Sequence, residues 1–187
     1  KFEINKIVNN KKKSFFISSN FDSNIQNLLA AVTVISIFKD ISKLGKNIFF
    51  DFKIPEGRGD ISKIKIKNKF FYLVDESYNS NPLSLKSAVK NFDLIVSKNA
   101  KKYLILGDML ELGKYSKKLH KDLSHFINSS SIDNVSVLGK DIKETYKNIN
   151  NNKKGLILNK RSEIIDLIKN NINNNDYLMI KGSNSTG

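Results

Sequence analysis

Cysteine is absent from the chain, which excludes disulfides and cysteine-based zinc sites and is consistent with a cytoplasmic location. No apolar run approaches the ~18 residues of a membrane helix, so membrane insertion is not expected. No signal-peptide pattern is visible either. The chain opens on Lys1 rather than Met and is read as a fragment, so a missing targeting signal says little. Arginine is nearly absent. Arg58 and Arg161 stand alone among 32 basic residues.

That scarcity qualifies the net charge of +14. A basic footprint is the usual mark of nucleic-acid binding. Here the charge is lysine, scattered through every segment among many asparagines and isoleucines. Sequence-specific readers rely on arginine for bidentate base contacts. The excess therefore reads as compositional drift, and nucleic acid is not the expected partner. Hydrophobic residues make up 40% of the 187 positions. That suffices for a proper core in one large domain or one and a half small ones.

Polar chemistry concentrates at one place, Val74-Asp75-Glu76-Ser77-Tyr78-Asn79-Ser80-Asn81-Pro82. Before it, Phe70 to Val74 is aromatic and apolar and predicts a buried strand. Asn81 can cap a helix, and Pro82 suits a first helical position, where no N–H is needed. Leu85, Ala88, Val89 and Phe92 follow at helical spacing. In an open α/β sheet, ligands bind at the carboxyl ends of strands. A loop built only to turn would use fewer polar groups.

The pattern along the chain divides near Pro55 and Gly57. Residues 1–19 predict strand and turn, with Lys11-Lys12-Lys13 as a solvated tip. A helix is expected over about 23–38, and a short second one over about 39–44 that stops at Gly45. Alternation from Asp60 to Lys67 predicts a strand, turned at Asn68-Lys69 into the next. Short apolar strands at about 103–106, 135–138, 155–158 and 177–180 then alternate with helices after Pro82, from about Lys140 and over 162–172. This rhythm means right-handed βαβ units in a doubly wound, mostly parallel α/β sheet. Asn150–Asn152 and Asn173–Asn175 are expected to be loop tips.

Five segments in order carry a resemblance. They are Asn24-Ile25-Gln26-Asn27-Leu28-Leu29-Ala30-Ala31, Gly57-Arg58, the Asp75–Pro82 stretch, Gly107-Asp108-Met109-Leu110-Glu111-Leu112-Gly113, and Lys181-Gly182-Ser183. Together they resemble the Mur ligase family, and within it the branch with the signature Asp-Asp-Ser-Tyr-Asn-Ala-Asn-Pro that adds D-alanyl-D-alanine. The resemblance covers roughly residues 20 to 187. It implies a Rossmann-like C-terminal domain over 55–187, lacking its last helix, preceded by the tail of a central ATP-binding domain over 1–54. The family's Gly-Thr-x-Gly-Lys-Thr phosphate loop is absent from these residues, so this stretch alone is not expected to catalyse ligation.

The implied reaction is ATP-dependent amide formation in the cytoplasmic stage of peptidoglycan synthesis, by a monomer. The carboxylate of a UDP-N-acetylmuramoyl-tripeptide takes a phosphoryl group, and the amine of D-alanyl-D-alanine attacks the acyl phosphate. Mg2+ is implied, with ligands outside these residues. For ATP the resemblance points to Asn24 and Asn27 at the adenine, Arg58 at the phosphates, and Asp75 or Glu76 at the ribose. The family's second Asp is Glu76 here, so the choice between the two carboxylates stays open, with alignment favouring Glu76. For substrate it points to Asn79 and Asn81, then Ser77 and Tyr78, with Lys181 and Ser183 at the last strand end. Departures are Ser23 for the family's His and Asn184 for its Arg.

Asp108 and Glu111 are expected to shape the cleft rather than bind metal. His120 reads as a satisfied helix histidine and His125 as a surface residue. Two rivals stand beside the main reading. One is another member of the ligase superfamily. The other is a non-catalytic Rossmann-like module that binds nucleotide or RNA.

Overall fold

A computed structural model describes residues 2–8, 11–17, 22–51, 56–96 and 99–183. The chain divides into two units, Lys1–Lys53 and Ile54–Gly187.

In the first unit, β1 (Phe2–Val8) pairs antiparallel with β2 (Lys11–Ile17), with Val8 opposite Lys11. Lys11–Lys13 therefore open a strand instead of forming a tip. The ladder pairs their backbone, and Lys13 Nζ reaches the carbonyl of Ser42 at 2.9 Å. α1 (Asp22–Phe38) follows. Phe15, Val32 and Ile41 form a small core with Leu44 and Phe49 against it. Toward its end α1 exposes Val34, Ile37 and Phe38. The helix expected at 39–44 is a single 3-10 turn, Ile41–Lys43, started by Asp40 accepting from Ser42 N and ended by extended backbone at Leu44.

The second unit holds β3 (Asp60–Ile66), β4 (Lys69–Asp75), α2 (Pro82–Asp93), β5 (Lys102–Gly107), α3 (Ser116–Asn128), β6 (Asn134–Leu138), α4 (Lys143–Asn148), β7 (Lys154–Leu158), α5 (Ser162–Asn171) and β8 (Tyr177–Lys181). These strands form one sheet in the order β3-β4-β8-β5-β6-β7, parallel except for β3. The β3–β4 hairpin turns at Lys67-Asn68, one residue earlier than the sequence suggests, with Lys67 at φ 53°.

Alternation in the strands builds two cores. Leu104 and Leu106 of β5, with Met179 of β8, face Leu85, Val89, Leu123 and Ile127 of α2 and α3. Tyr103 and Ile105, with Leu178, face Leu167 of α5. Helices thus cover both faces, the doubly wound arrangement. Each fully buried Leu or Ile contributes about 1.5–3 kcal/mol, so the β5 alternation decides which face each helix must take.

α4 begins at Lys143, later than about Lys140. Residues 139–142 serve another purpose: Lys140 N and Ile142 N both donate to the carboxylate of Asp108, at 2.9 and 2.7 Å. Gly139 at φ 148° passes so close to that carboxylate that a Cβ there would lie 2.5 Å from its oxygen.

Candidate functional site

Three parallel strands, β4, β8 and β5, end side by side, and the polar motifs lie where they end. β4 runs out at Asp75 into Glu76–Asn81. The β8 end supplies Lys181 and Ser183, and the β5 end supplies Asp108–Leu110. The antiparallel β3 returns the chain to the same edge, with Asp60 opposite Asp75. Gly57-Arg58-Gly59 therefore lies against the β4 loop, through Tyr78 N to Gly57 O at 3.0 Å and Gly59 N to Asp75 O at 2.7 Å.

Both glycines are required. Gly57 and Gly59 have φ of 73° and 95°, a region open to glycine and strained for other residues. A Cβ on Gly57 would meet Tyr78 N at 2.9 Å, and one on Gly59 would meet Glu76 Oε1 at 2.9 Å. Between them, the exposed Arg58 lays its guanidinium 4.2 Å from the centroid of the Tyr78 ring, a cation–π contact.

Lys181 is 2% exposed. Its ammonium donates to Asn79 O at 2.8 Å, Glu76 Oε2 at 3.2 Å and Glu76 O at 3.3 Å. All three donors of the ammonium thus meet acceptors of the chain itself. Burial pushes the Glu76 carboxyl above its ordinary value although Lys181 pulls it down. Burial likewise pushes the Lys181 ammonium down against the pull of Glu76.

Ser183 is a second node. Its N–H donates to Asp108 O at 3.0 Å, and its Oγ accepts from Leu110 N at 3.0 Å. The same hydroxyl donates to Ser80 O at 3.4 Å. One serine thus stitches the loops after β4, β5 and β8. Met109 N donates to Nε2 of the fully buried His120, whose Nδ1 lies 2.8 Å from Ser116 O. This pattern puts the proton on Nδ1. His120 holds the β5 loop, and His125 is exposed.

Asn81 caps α2 in a capping box. Its Oδ1 accepts from Ser84 N at 2.8 Å, and its N donates to Ser84 Oγ at 3.0 Å. Asn79 Oδ1 accepts from Ser80 N at 2.7 Å. A backbone N–H can only donate, so both carboxamides are fixed with oxygen inward on these bonds. Their NH2 groups have no partner among the described residues. Asp75 Oδ1 accepts from Ser77 N at 2.9 Å, and Ser77 and Tyr78 are exposed.

The structure thus brings Arg58, Asp75, Glu76, Ser77, Tyr78, Asn79, Asn81, Lys181 and Ser183 to one edge. Asn24 and Asn27 lie on α1 of the other unit; Asn27 is exposed, and the Asn24 side chain is outside the described residues. Among the described residues no cluster of His, Asp and Glu could hold a metal ion, and no helix is long and apolar enough to cross a membrane.

One participant was not anticipated from the sequence. Ser80 is 3% exposed, and its hydroxyl is the buried side-chain polar atom left without a hydrogen-bond partner among the described residues. Such an orphan costs about 1–3 kcal/mol. The available signal was a serine where the Asp-Asp-Ser-Tyr-Asn-Ala-Asn-Pro signature has alanine.

Comparison with known proteins decides the family. The model of the Mur ligase glutamate ligase domain matches residues 62–184. The chain belongs to the Mur ligase family. UDP-N-acetylmuramoyl-tripeptide--D-alanyl-D-alanine ligase of Rickettsia prowazekii is 29% identical to this chain over 168 residues, covering 90% of this chain and 35% of that protein. The ligase of the same name from Buchnera aphidicola of Acyrthosiphon pisum is 35% identical over 166 residues, covering 87% and 34%. The crystal structure of the MurF ligase of Thermotoga maritima in complex with ADP superposes with a TM-score of 0.73 at 20% identity. It covers 98% of this chain and 40% of that one, a likeness of fold. The chain spans about a third of the length of the curated relatives it matches.

Proposed function

We propose that this chain is the C-terminal part of an ATP-dependent ligase that adds D-alanyl-D-alanine to a UDP-N-acetylmuramoyl-tripeptide through an acyl phosphate. Residues 1–54 are then the tail of the central nucleotide-binding domain and 55–187 the C-terminal domain. The enzyme works in the cytoplasm, as a monomer, in peptidoglycan synthesis. One observation carries this reading: the Asp75–Pro82 loop presents two exposed amide donors, from Asn79 and Asn81, without partners among the described residues, at the sheet edge where the Arg58 loop also arrives. Donors of this kind suit the carboxylate and carbonyl oxygens of a dipeptide.

Nucleotide chemistry fits the same edge. ATP is a co-substrate, and the related Thermotoga maritima ligase is described with ADP. Glu76 keeps Oε1 clear of its Lys181 bond, beside Gly59, where no Cβ intrudes. Asp75 keeps Oδ2 clear of its bond to Ser77. Either oxygen can accept a ribose hydroxyl. Arg58 sits on an exposed ring and can swing to a phosphate at modest cost, since an exposed cation–π contact contributes about 0.5–1 kcal/mol. Asn24 and Asn27 are the adenine-reading amides of this proposal. Mg2+ belongs to the phosphates, with ligands beyond the residues described. Lys181 and Ser183 serve the substrate by fixing the loop that carries Asn79 and Asn81.

The test is direct. The protein, produced at the length of its relatives, is given ATP, the UDP-sugar tripeptide and D-alanyl-D-alanine. Expected are a pentapeptide product and, without the dipeptide, a hydroxamate when hydroxylamine is present. Absence of both, together with tight single-stranded RNA binding at physiological salt, would replace the ligase reading with the RNA module.

A further inference from the structure

The Ser80 hydroxyl is buried and unpaired, while the backbone around it is fully engaged. Ser80 N donates to Asn79 Oδ1, and Ser80 O accepts from Ser183 Oγ. The residue is therefore held by its main chain, and nothing in the described fold needs its hydroxyl. Alanine would occupy the same space without an orphan group. A serine that carries this penalty, where the family signature has alanine, calls for a partner that arrives with a bound molecule.

Its neighbours indicate the chemistry of that partner. Ser80 directly precedes the cap of α2, a helix of 12 residues, whose amino end favours negative charge. On either side, the exposed Asn79 and Asn81 offer NH2 groups without partners among the described residues. Hydroxyl, amide donors and helix terminus together favour an oxyanion.

We propose that the Ser80 hydroxyl donates a hydrogen bond to an oxyanion of the bound substrate, making Ser80 a specificity-determining residue of the site. This rests on the ligase reading above. The oxyanion has two possible sources, the dipeptide carboxylate and the phosphoryl group of the acyl phosphate.

Ser80→Ala separates them in the ligase at the length of its relatives, with Ser87→Ala on the exposed side of α2 as control. A carboxylate partner raises the dipeptide KM about tenfold and leaves hydroxamate formation unchanged. A phosphoryl partner lowers hydroxamate formation about tenfold. In both cases the ligand-free protein melts no lower than wild type, because an orphan has been removed. Either kinetic change with that melting behaviour supports the inference. If both rates stay within about twofold of wild type, the hydroxyl has no ligand role and the inference falls, while the ligase reading stands. A lower ligand-free Tm with equal loss in every step also overturns it, by showing a structural role. If wild type itself adds no dipeptide, the ligase reading fails and takes the inference with it.

Discussion

The two edges of the sheet use the same kind of residue to different ends. At the amino edge Lys102 is buried and donates to Asp93 O at 2.7 Å and Ser131 Oγ at 3.0 Å, while Lys153 donates to Ser130 O and Ile132 O. Asp133 accepts from Lys102 N, and Asp176 accepts from Lys101 N and Asn173 N. At the carboxyl edge Lys181 and Ser183 do the same work on loops. Among the described residues, that edge adds two glycines at positive φ around a lone arginine and a buried hydroxyl without a partner. Polar density alone does not mark a site, because both edges are rich in it. What sets the carboxyl edge apart among the described residues is a buried unpaired hydroxyl beside backbone shaped for close approach.

Lys181→Met tests the clamp and should have the largest effect. It leaves the largely buried Glu76 carboxylate without its partner, at a cost of about 3–5 kcal/mol in denaturant unfolding of this chain. A loss below about 1 kcal/mol would mean that the carboxyl edge holds itself without the lysine.

Asn81→Asp is the sharper probe of function. Aspartate caps a helix as well as asparagine does, so the Ser84 bond and the stability should survive within about 0.5 kcal/mol. The NH2 donor is replaced by negative charge, so use of D-alanyl-D-alanine should fall at least about 100-fold, with acyl phosphate still trapped by hydroxylamine. A variant that is destabilised yet kinetically normal would move Asn81 to the amino edge's class of purely structural residues.

Arg58→Ala should cost about 1.5–3 kcal/mol of transition-state stabilisation, roughly 10- to 150-fold in kcat/KM for ATP. Arg161, exposed at the start of α5, is the control. Equal small losses for both would remove Arg58 from the nucleotide.

The smallest effect is a titration. Burial raises the folded Glu76 midpoint above its unfolded value. Its proton therefore favours the folded state, fully below the ordinary glutamate value, and that contribution is lost as pH rises through the raised midpoint. NMR should place the midpoint above that of an exposed glutamate, and higher still in Lys181→Met, where the opposing charge is gone. A fall in that variant would contradict the burial account.

Much of this was legible in the sequence because it is local. The β4 run, the Asn81-Pro82 start of α2 and the alternation of β5 each follow from neighbours within a few residues. The late start of α4 was not legible, since its cause is an Asp108 side chain 32 residues from Lys140. Nor was the internal engagement of Lys181, whose acceptors on Glu76 and Asn79 lie 105 and 102 residues away. Lysine beside glycine and serine at a strand end suggests a ligand charge equally well. Ser80 was passed over because burial is a property of the assembled loops, and nothing in its immediate sequence announces it.

The position of β8 bears on how the molecule is made. Among the described residues it is the last strand of the sheet in sequence, yet it lies between β4 and β5. Until it inserts, the earlier strands form two half-sheets with open inner edges, and exposed edges invite pairing with other chains. Joining such distant segments is slow. During synthesis the earlier strands must wait for β8 to emerge before the sheet can close. A truncation or pause just ahead of Tyr177 should therefore give an aggregating product, with no shortened domain left in solution.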